Sequence, residues 1–195
     1  RPNALRVLGE ARYVRGIWGK DHVFRGDVFR DLYDEGENIC LGTMGGHPDY
    51  INAWDSAVLD VDSEWNITKR LTDAGLNFID NHANGDQPFF LTINYQDPHP
   101  FFACPEPWAS LFHPDQFELP PNFRRQAIEG EIRRLSHWRW HTDEVNMPED
   151  ALKRAMATYC GQIRYVDDQV GRVLDRLEER DLIDNTIVLF WSDHG

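Results

Sequence analysis

The chain has 195 residues, of which 41% are apolar, and carries a formal net charge of −13 at neutral pH. A chain of this length can bury the core of one domain or most of one. The acidic balance argues against nucleic acid and anionic membranes as partners, because both select clustered Lys and Arg side chains. The sequence also lacks a run of about 18 apolar residues, so it predicts no transmembrane helix.

The first predicted strand covers residues 13–18, after a short helical segment, and ends at Gly19-Lys20-Asp21-His22. A Lys after a tight glycine turn can hold an anion as a point charge, and a nearby His suits proton transfer near neutral pH. The alternative is a solvated loop. Residues 24–62, which follow, are rich in Gly, Asp and Pro and predict a long irregular loop.

A helix is predicted over residues 66–81, and a dense apolar strand over residues 89–95. This strand runs into Gln96-Asp97-Pro98-His99-Pro100. The flanking prolines stiffen the backbone and should present His99 in a fixed direction, as an acid or a ligand requires.

Residues 101–125 predict a loop, residues 126–141 a short helix or an excursion, and residues 148–180 a long helix with one apolar stripe. A continuous run of β-branched and aromatic residues over 186–191 then predicts a strand buried on both faces. It ends at Ser192-Asp193-His194-Gly195. A carboxylate next to an imidazole suits a divalent cation such as calcium, manganese or zinc. The alternative is that these residues only turn and cap the chain.

Strands and helices therefore alternate, which predicts an α/β fold with a largely parallel sheet flanked by helices. In such sheets ligands bind at the carboxyl ends of the strands. Three predicted strand ends carry the candidate site residues, which are Lys20, His22, His99, Asp193 and His194. A cation, imidazole groups and a pair of metal-binding side chains at one edge of the sheet would suit the hydrolysis of a tetrahedral anionic ester. The leaving group of such an ester needs a proton.

With these residues the chain resembles the sulfatase family of the alkaline-phosphatase-like superfamily. Three ordered motifs carry the resemblance: Gly19-Lys20-Asp21-His22, the stretch from Pro88-Phe89-Phe90-Leu91 to Asp97-Pro98-His99-Pro100, and residues 159–195 with Ser192-Asp193-His194-Gly195 at their end. The match covers most of the chain and is weak over residues 24–62 and 126–146. It implies that residues 1–195 are part of a single, incomplete catalytic domain with an alkaline-phosphatase-like fold.

The resemblance also implies roles for the site residues. Lys20 would hold the sulfate and the nucleophile, His22 would remove a proton so that sulfate can leave the enzyme, and His99 would protonate the leaving alcohol. Asp193 and His194 would bind a divalent metal ion, calcium most often, with manganese or zinc as alternatives. The substrate would be a small-molecule or carbohydrate sulfate ester.

The family's nucleophile is a formylglycine made from Cys or Ser in a short motif that precedes Gly-Lys-x-His. We find no such motif before Gly19, and interpret the chain as a middle portion that would be inactive by itself. Cys160-Gly161-Gln162-Ile163-Arg164 mimics the outer letters of the motif, but it lies inside the predicted long helix and is rejected. Two alternatives stay open, a phosphodiesterase or phosphonate monoester hydrolase of the same superfamily and a non-catalytic sulfate-binding homologue.

Overall fold

A computed structural model of the chain describes residues 3–21, 26–38, 56–121 and 148–192. The chain divides into two compact units. The first comprises Arg1–Cys40, Lys69–Tyr95 and Asp168–Gly195, and the second comprises Leu41–Thr68 and Gln96–Asp167. None of the helices in the described ranges combines the length and apolar composition that crossing a bilayer requires.

The first unit is built on a three-stranded parallel sheet in the order β2-β1-β4. Its strands are β1 (Val14–Gly19), β2 (Glu35–Asn38) and β4 (Phe89–Asn94). Helices α1 (Ala4–Glu10) and α2 (Gly26–Leu32) belong to the same unit, as does most of α3 (Ile67–His82). The predictions for β1, β4 and α3 are confirmed to within one or two residues at each end.

Helix α3 packs on the sheet through one aromatic side chain. Phe78 is 1% exposed, and its ring makes edge contacts with Trp18 of β1 and Phe89 of β4 at centroid distances of 5.3 and 5.8 Å. Gly75, one turn earlier, lets the helix approach Ile93, since an added Cβ would lie 2.4 Å from its Cδ1 atom. Gly75 is therefore a position at which the helix packs closely on the sheet.

The second unit contains a two-stranded parallel sheet of β3 (Ser56–Leu59) and β5 (Phe102–Pro105). All four residues of β5 are buried. The predictions of irregular structure over residues 24–62 and 101–125 are therefore wrong in part, because α2, β2, β3 and β5 fall within them. These strands have only four residues each, too few to show an alternating or continuous apolar pattern.

The long helix is confirmed as α4 (Glu149–Glu179), with 31 residues. In the first unit its contacts include ion pairs with α3: Arg172 with Asp73 at 2.7 Å, and Arg176 with Asp80. In the second unit Tyr165 of α4 is 2% exposed, and its ring packs at a tilt against that of Trp108, with 4.6 Å between the ring centroids. The helix is thus fixed by ion pairs along one part and by aromatic packing along the other.

The strand predicted over residues 186–191 is wrong for the described part of the chain. The residues form no strand there, and the side chains of Ile187, Leu189 and Phe190 are 89%, 72% and 78% exposed. A strand buried on both faces needs neighbours that accept its main-chain hydrogen bonds and layers that cover its side chains. The described residues supply neither for this run.

Candidate active site

Lys20 lies at the carboxyl end of β1, and its position is set by the neighbouring strand. Asn94, the last residue of β4, donates from Nδ2 to the Lys20 carbonyl oxygen at 2.9 Å. The residue before Lys20, Gly19, has φ +114°, and a Cβ there would lie 2.2 Å from the Asn94 carbonyl oxygen. Only glycine combines this backbone conformation with so close an approach. Gly19 therefore ends β1 in a conformation suited to glycine, and Lys20 is half-buried beside it.

The third strand is tied to the same edge. Asn38, the last residue of β2, accepts a hydrogen bond from the Asp21 N–H and donates one to the Asp21 carbonyl oxygen, both at 3.0 Å. Asp21 itself is 8% exposed. Burial, and then the negative charge of Asp21, raise the pKa of Tyr33 to about 12. Two asparagine side chains thus join the carboxyl ends of all three strands, with a buried carboxyl group beside the Lys20 backbone.

His99 follows β4 by five residues and belongs to the second unit. Its N–H donates to the Gln96 carbonyl oxygen at 3.0 Å, which closes a turn. Its side chain is exposed, and Nδ1 lies 2.5 Å from the Pro100 carbonyl oxygen. Because a carbonyl oxygen can only accept, Nδ1 carries the proton of this bond, and Nε2 is the ring atom left to exchange a proton.

The turn that carries His99 is anchored by a buried carboxyl group. Asp97 accepts hydrogen bonds from Thr68 Oγ1 at 2.6 Å and from Gln162 Nε2 at 3.0 Å. Burial raises the pKa of Asp97 to about 6, and the two hydrogen bonds oppose part of that rise. Both donors are neutral, and within the described ranges no Lys or Arg forms an ion pair with Asp97.

The sequence profile of the Sulfatase family matches residues 2–195. This chain belongs to the sulfatase family. The match spans both compact units, so Lys20 and His99 fall within one family domain profile.

Two curated relatives illustrate the range within the family. A multifunctional alkaline phosphatase superfamily protein, PehA, of Trinickia caryophylli is 26% identical in an alignment 149 residues long that covers 69% of this chain and 28% of that protein. An arylsulfatase of Clostridium perfringens is 28% identical in an alignment 172 residues long that covers 83% of this chain and 32% of that protein. The chain therefore spans about a third or less of the length of these sulfatase-family relatives.

The fold is likewise shared with solved structures. The phosphonate monoester hydrolase SpPMH from Silicibacter pomeroyi superimposes with a TM-score of 0.64 at 20% identity, covering 95% of this chain and 45% of that chain. At this identity the likeness concerns the fold alone. It confirms the predicted α/β architecture of parallel sheets flanked by helices.

The predicted site residues of this sulfatase-family chain divide into two groups. Lys20 and His99 are described, each in its own unit, whereas His22, Asp193 and His194 lie outside the described residues. In the parts of the chain that the structure describes, no group of three His, Cys, Asp or Glu side chains could hold a metal ion. The predicted metal pair and the role of His22 therefore stay predictions.

The two described thiols are poor nucleophiles in this sulfatase-family chain. Burial, together with the charges of Asp97 and Glu106, raises the pKa of Cys104 to about 12. Burial also raises the pKa of Cys160, which lies within α4 as predicted. Both thiols stay protonated near neutral pH. The position of Cys160 inside α4 agrees with its rejection as a formylglycine precursor.

Sequence reasoning missed the anchor of the His99 turn. Asp97 bonds Thr68 across 29 residues and Gln162 across 65. No local pattern links positions so far apart. The one available signal was Gln162 itself, a polar residue close to the apolar stripe of the long helix that is fully buried in the structure.

Proposed function

We propose that the whole protein hydrolyses sulfate esters and that residues 1–195 form part of its single catalytic domain. The observation that carries this proposal is the family match over residues 2–195. It is supported by the fixed carboxyl end of β1, where Gly19 and Asn94 set the backbone of Lys20. The substrate class follows from the family, and the proposal names small-molecule or carbohydrate sulfate esters.

Lys20 would bind a sulfate oxygen through its ammonium group. The reacting sulfuryl group spreads negative charge over its oxygens, and a positioned cation stabilises that charge. A half-buried Lys at a strand end is held closer to a fixed point than one on a mobile loop. In the same proposal His22 removes a proton in the step that releases sulfate from the enzyme.

His99 would protonate the leaving alcohol. The acid would be the imidazolium form of His99, in which Nδ1 keeps its hydrogen bond to the Pro100 carbonyl oxygen. Its Nε2 proton would pass to the ester oxygen as the S–O bond breaks, which leaves the neutral ring with its proton on Nδ1. General acids of this kind contribute about 10²- to 10⁴-fold to the rate. The side chain is exposed in this chain, which leaves Nε2 accessible to an ester oxygen.

Asp193 and His194 are proposed to bind a divalent metal ion, calcium in the first instance and manganese or zinc as alternatives. A carboxylate and an imidazole suit such ions by their donor chemistry. When bound, the ion would polarise the sulfate oxygens. We further propose that a formylglycine outside residues 1–195 supplies the nucleophile, as the family match suggests.

A second candidate is hydrolysis of phosphonate monoesters or phosphodiesters. The PehA protein, described as a multifunctional member of the alkaline phosphatase superfamily, supports keeping this alternative. A cation and a general acid serve either tetrahedral anion, so Lys20 and His99 do not distinguish the two substrates. A sulfate-binding homologue without turnover is the third candidate.

One experiment separates the three candidates. The whole protein is assayed with a sulfate monoester, a phosphonate monoester and a phosphodiester that share one aryl leaving group, and kcat/KM is compared. The proposal expects the sulfate ester to give the largest kcat/KM, and Lys20→Ala to lower it. Preference for a phosphorus ester supports the second candidate, and sulfate binding without turnover supports the third.

A further inference from the structure

The segment that presents His99 is held from both sides by one buried amide. Gln162 is 0% exposed, and its Nε2 donates to the Asp97 carboxylate at 3.0 Å and to the Phe101 carbonyl oxygen at 3.3 Å. These two acceptors lie two residues before and two residues after His99. One side chain of α4 therefore fixes both ends of the segment from Asp97 to Phe101, in which His99 is the central residue.

The other side of Asp97 is held by α3. Thr68, 2% exposed in the first turn of that helix, donates to the Asp97 carboxylate at 2.6 Å. Asp97 thus joins two helices to the turn that contains His99. We call Asp97, Thr68 and Gln162 the Asp97 clamp.

His99 itself has little to hold its ring. Its side chain is exposed, and the ring forms a hydrogen bond through Nδ1 to the carbonyl oxygen of the adjacent Pro100. The direction of the imidazole therefore depends on the backbone of residues 97–101. That backbone is fixed by the clamp and by the bond from the His99 N–H to the Gln96 carbonyl oxygen.

A buried carboxyl group is a costly way to make a purely structural contact. Burial disfavours its charged form, and neutral or apolar residues of similar size fill such sites with less penalty. The ionised form, however, accepts from two donors at once, and a hydrogen bond to a charged acceptor is stronger than one between neutral groups. This is useful where the position of a segment must be fixed closely.

We propose that Asp97 is a positioning residue for His99, and that Thr68 and Gln162 act through it to aim the imidazole at the leaving-group oxygen. This inference rests on the proposed function, in which His99 is the general acid. It adds three residues that do not touch the substrate. Misplacing a catalytic group by about 1 Å can slow a reaction by about 10²-fold, so loss of the clamp should be visible in the rate.

The test uses the whole protein with Thr68→Val and Gln162→Met, which remove the two donors while keeping similar volume. Thr158→Val is the matched control, because Thr158 is also buried in the second unit but bonds only the Arg154 carbonyl oxygen of its own helix. Each variant is assayed with an alkyl sulfate and with an activated aryl sulfate. We expect kcat for the alkyl sulfate to fall about 10- to 100-fold in both clamp variants, with little change for the aryl sulfate or for the control.

A double-mutant cycle then asks whether the clamp acts through His99. In the His99→Ala background, Thr68→Val should lower kcat no further, because the group that it positions is gone. Equal losses on both substrates, or full additivity with His99→Ala, would overturn the inference. So would unchanged kinetics in both clamp variants.

A readout without turnover separates this inference from the proposed function. The NMR signals of the His99 ring should form one set in the wild type and should broaden or split in Thr68→Val and Gln162→Met. If His99→Ala shows no dependence on the leaving group while the ring signals respond, the general-acid role has failed and the clamp stands. If the ring signals stay unchanged in both variants, the clamp has failed, whatever the protein hydrolyses. Should Gln162→Met not fold, Thr68→Val decides alone.

Discussion

Lys20 and His99 are fixed by different means. The Lys20 backbone is held by strand ends, by a glycine in the left-handed region and by the Asn94 side chain. The His99 segment lies along the chain between the end of β4 and the start of β5, and it is held by hydrogen bonds from Thr68 and Gln162 to the Asp97 carboxyl group. The first arrangement tolerates almost no change in backbone, whereas the second can be loosened by removing single side-chain atoms. Substitutions near Lys20 and near His99 should therefore affect the protein in different ways.

The largest expected effect tests the His99 side of this contrast. In the whole protein His99→Ala should lower kcat for alkyl sulfates by about 10²- to 10⁴-fold. Activated aryl sulfates should lose far less, because a good leaving group departs without a proton. His113→Ala, at an exposed His of the same unit, is the control. Equal losses on both substrates would assign His99 to sulfate binding.

The Lys20 side is tested by Gly19→Ala. The new Cβ would lie 2.2 Å from the Asn94 carbonyl oxygen, at φ +114°. Overpacking and backbone strain together should lower the free energy of unfolding by about 2 to 5 kcal/mol. Urea unfolding of the chain measures this.

Gly171→Ala in α4 is the matched control, since a Cβ there meets no atom within 4 Å. It should be neutral or stabilising by up to about 1 kcal/mol. Equal effects of the two substitutions would mean that the Gly19 backbone is not constrained as described.

The buried carboxyl group should make stability depend on pH. The pKa of Asp97 rises from 3.8 to about 6 on folding, so the folded state binds the proton more tightly. The stabilisation is complete below the unfolded value and is lost as the pH rises through about 6. From about pH 4 to pH 7 the loss is up to roughly 3 kcal/mol.

Asp97→Asn should remove this pH dependence, because the amide does not titrate. The exposed substitution Asp175→Asn on α4 should leave it unchanged. The free energies of unfolding of the three proteins, measured across this pH range, check the expectation. Parallel profiles for the wild type and Asp97→Asn would contradict it.

The smallest expected effect concerns the packing around the clamp. Tyr165 donates from its hydroxyl to Asn66 Oδ1 at 3.0 Å, in the buried interior of the second unit. Tyr165→Phe should lower the free energy of unfolding by about 1 kcal/mol. Tyr159→Phe, on an exposed part of the same helix, should leave it unchanged. A larger loss on the alkyl sulfate than on the aryl sulfate would show that this bond also supports His99.

Sequence patterns predicted the elements that contain many apolar residues in one run or along one helix face. Strands β1 and β4 and helices α3 and α4 are of this kind. Strand β2 has the sequence Glu-Gly-Glu-Asn and is exposed throughout. It pairs with β1 through main-chain hydrogen bonds, which a pattern of side chains cannot predict. The run over residues 186–191 shows the converse. It has a strong strand pattern but forms no strand, because no strand among the described residues pairs with it.

The candidate site follows the same division. Lys20 and His99 could be found because each follows a recognisable strand. The Asp97 clamp could not, because its hydrogen bonds join three distant positions that have no common local signal. Buried polar clusters of this type are specified by the tertiary structure.

The exposed run that ends at Trp191 has a practical consequence for anyone who prepares this chain by itself. Ile187, Leu189, Phe190 and Trp191 offer adjacent apolar side chains that are 69% to 89% exposed, on a backbone free of Pro. Segments with this composition pair readily with identical copies and seed precipitation. Purification should therefore be planned at low protein concentration, and a Lys substitution at Ile187 or Leu189 is a sensible first attempt at a soluble preparation.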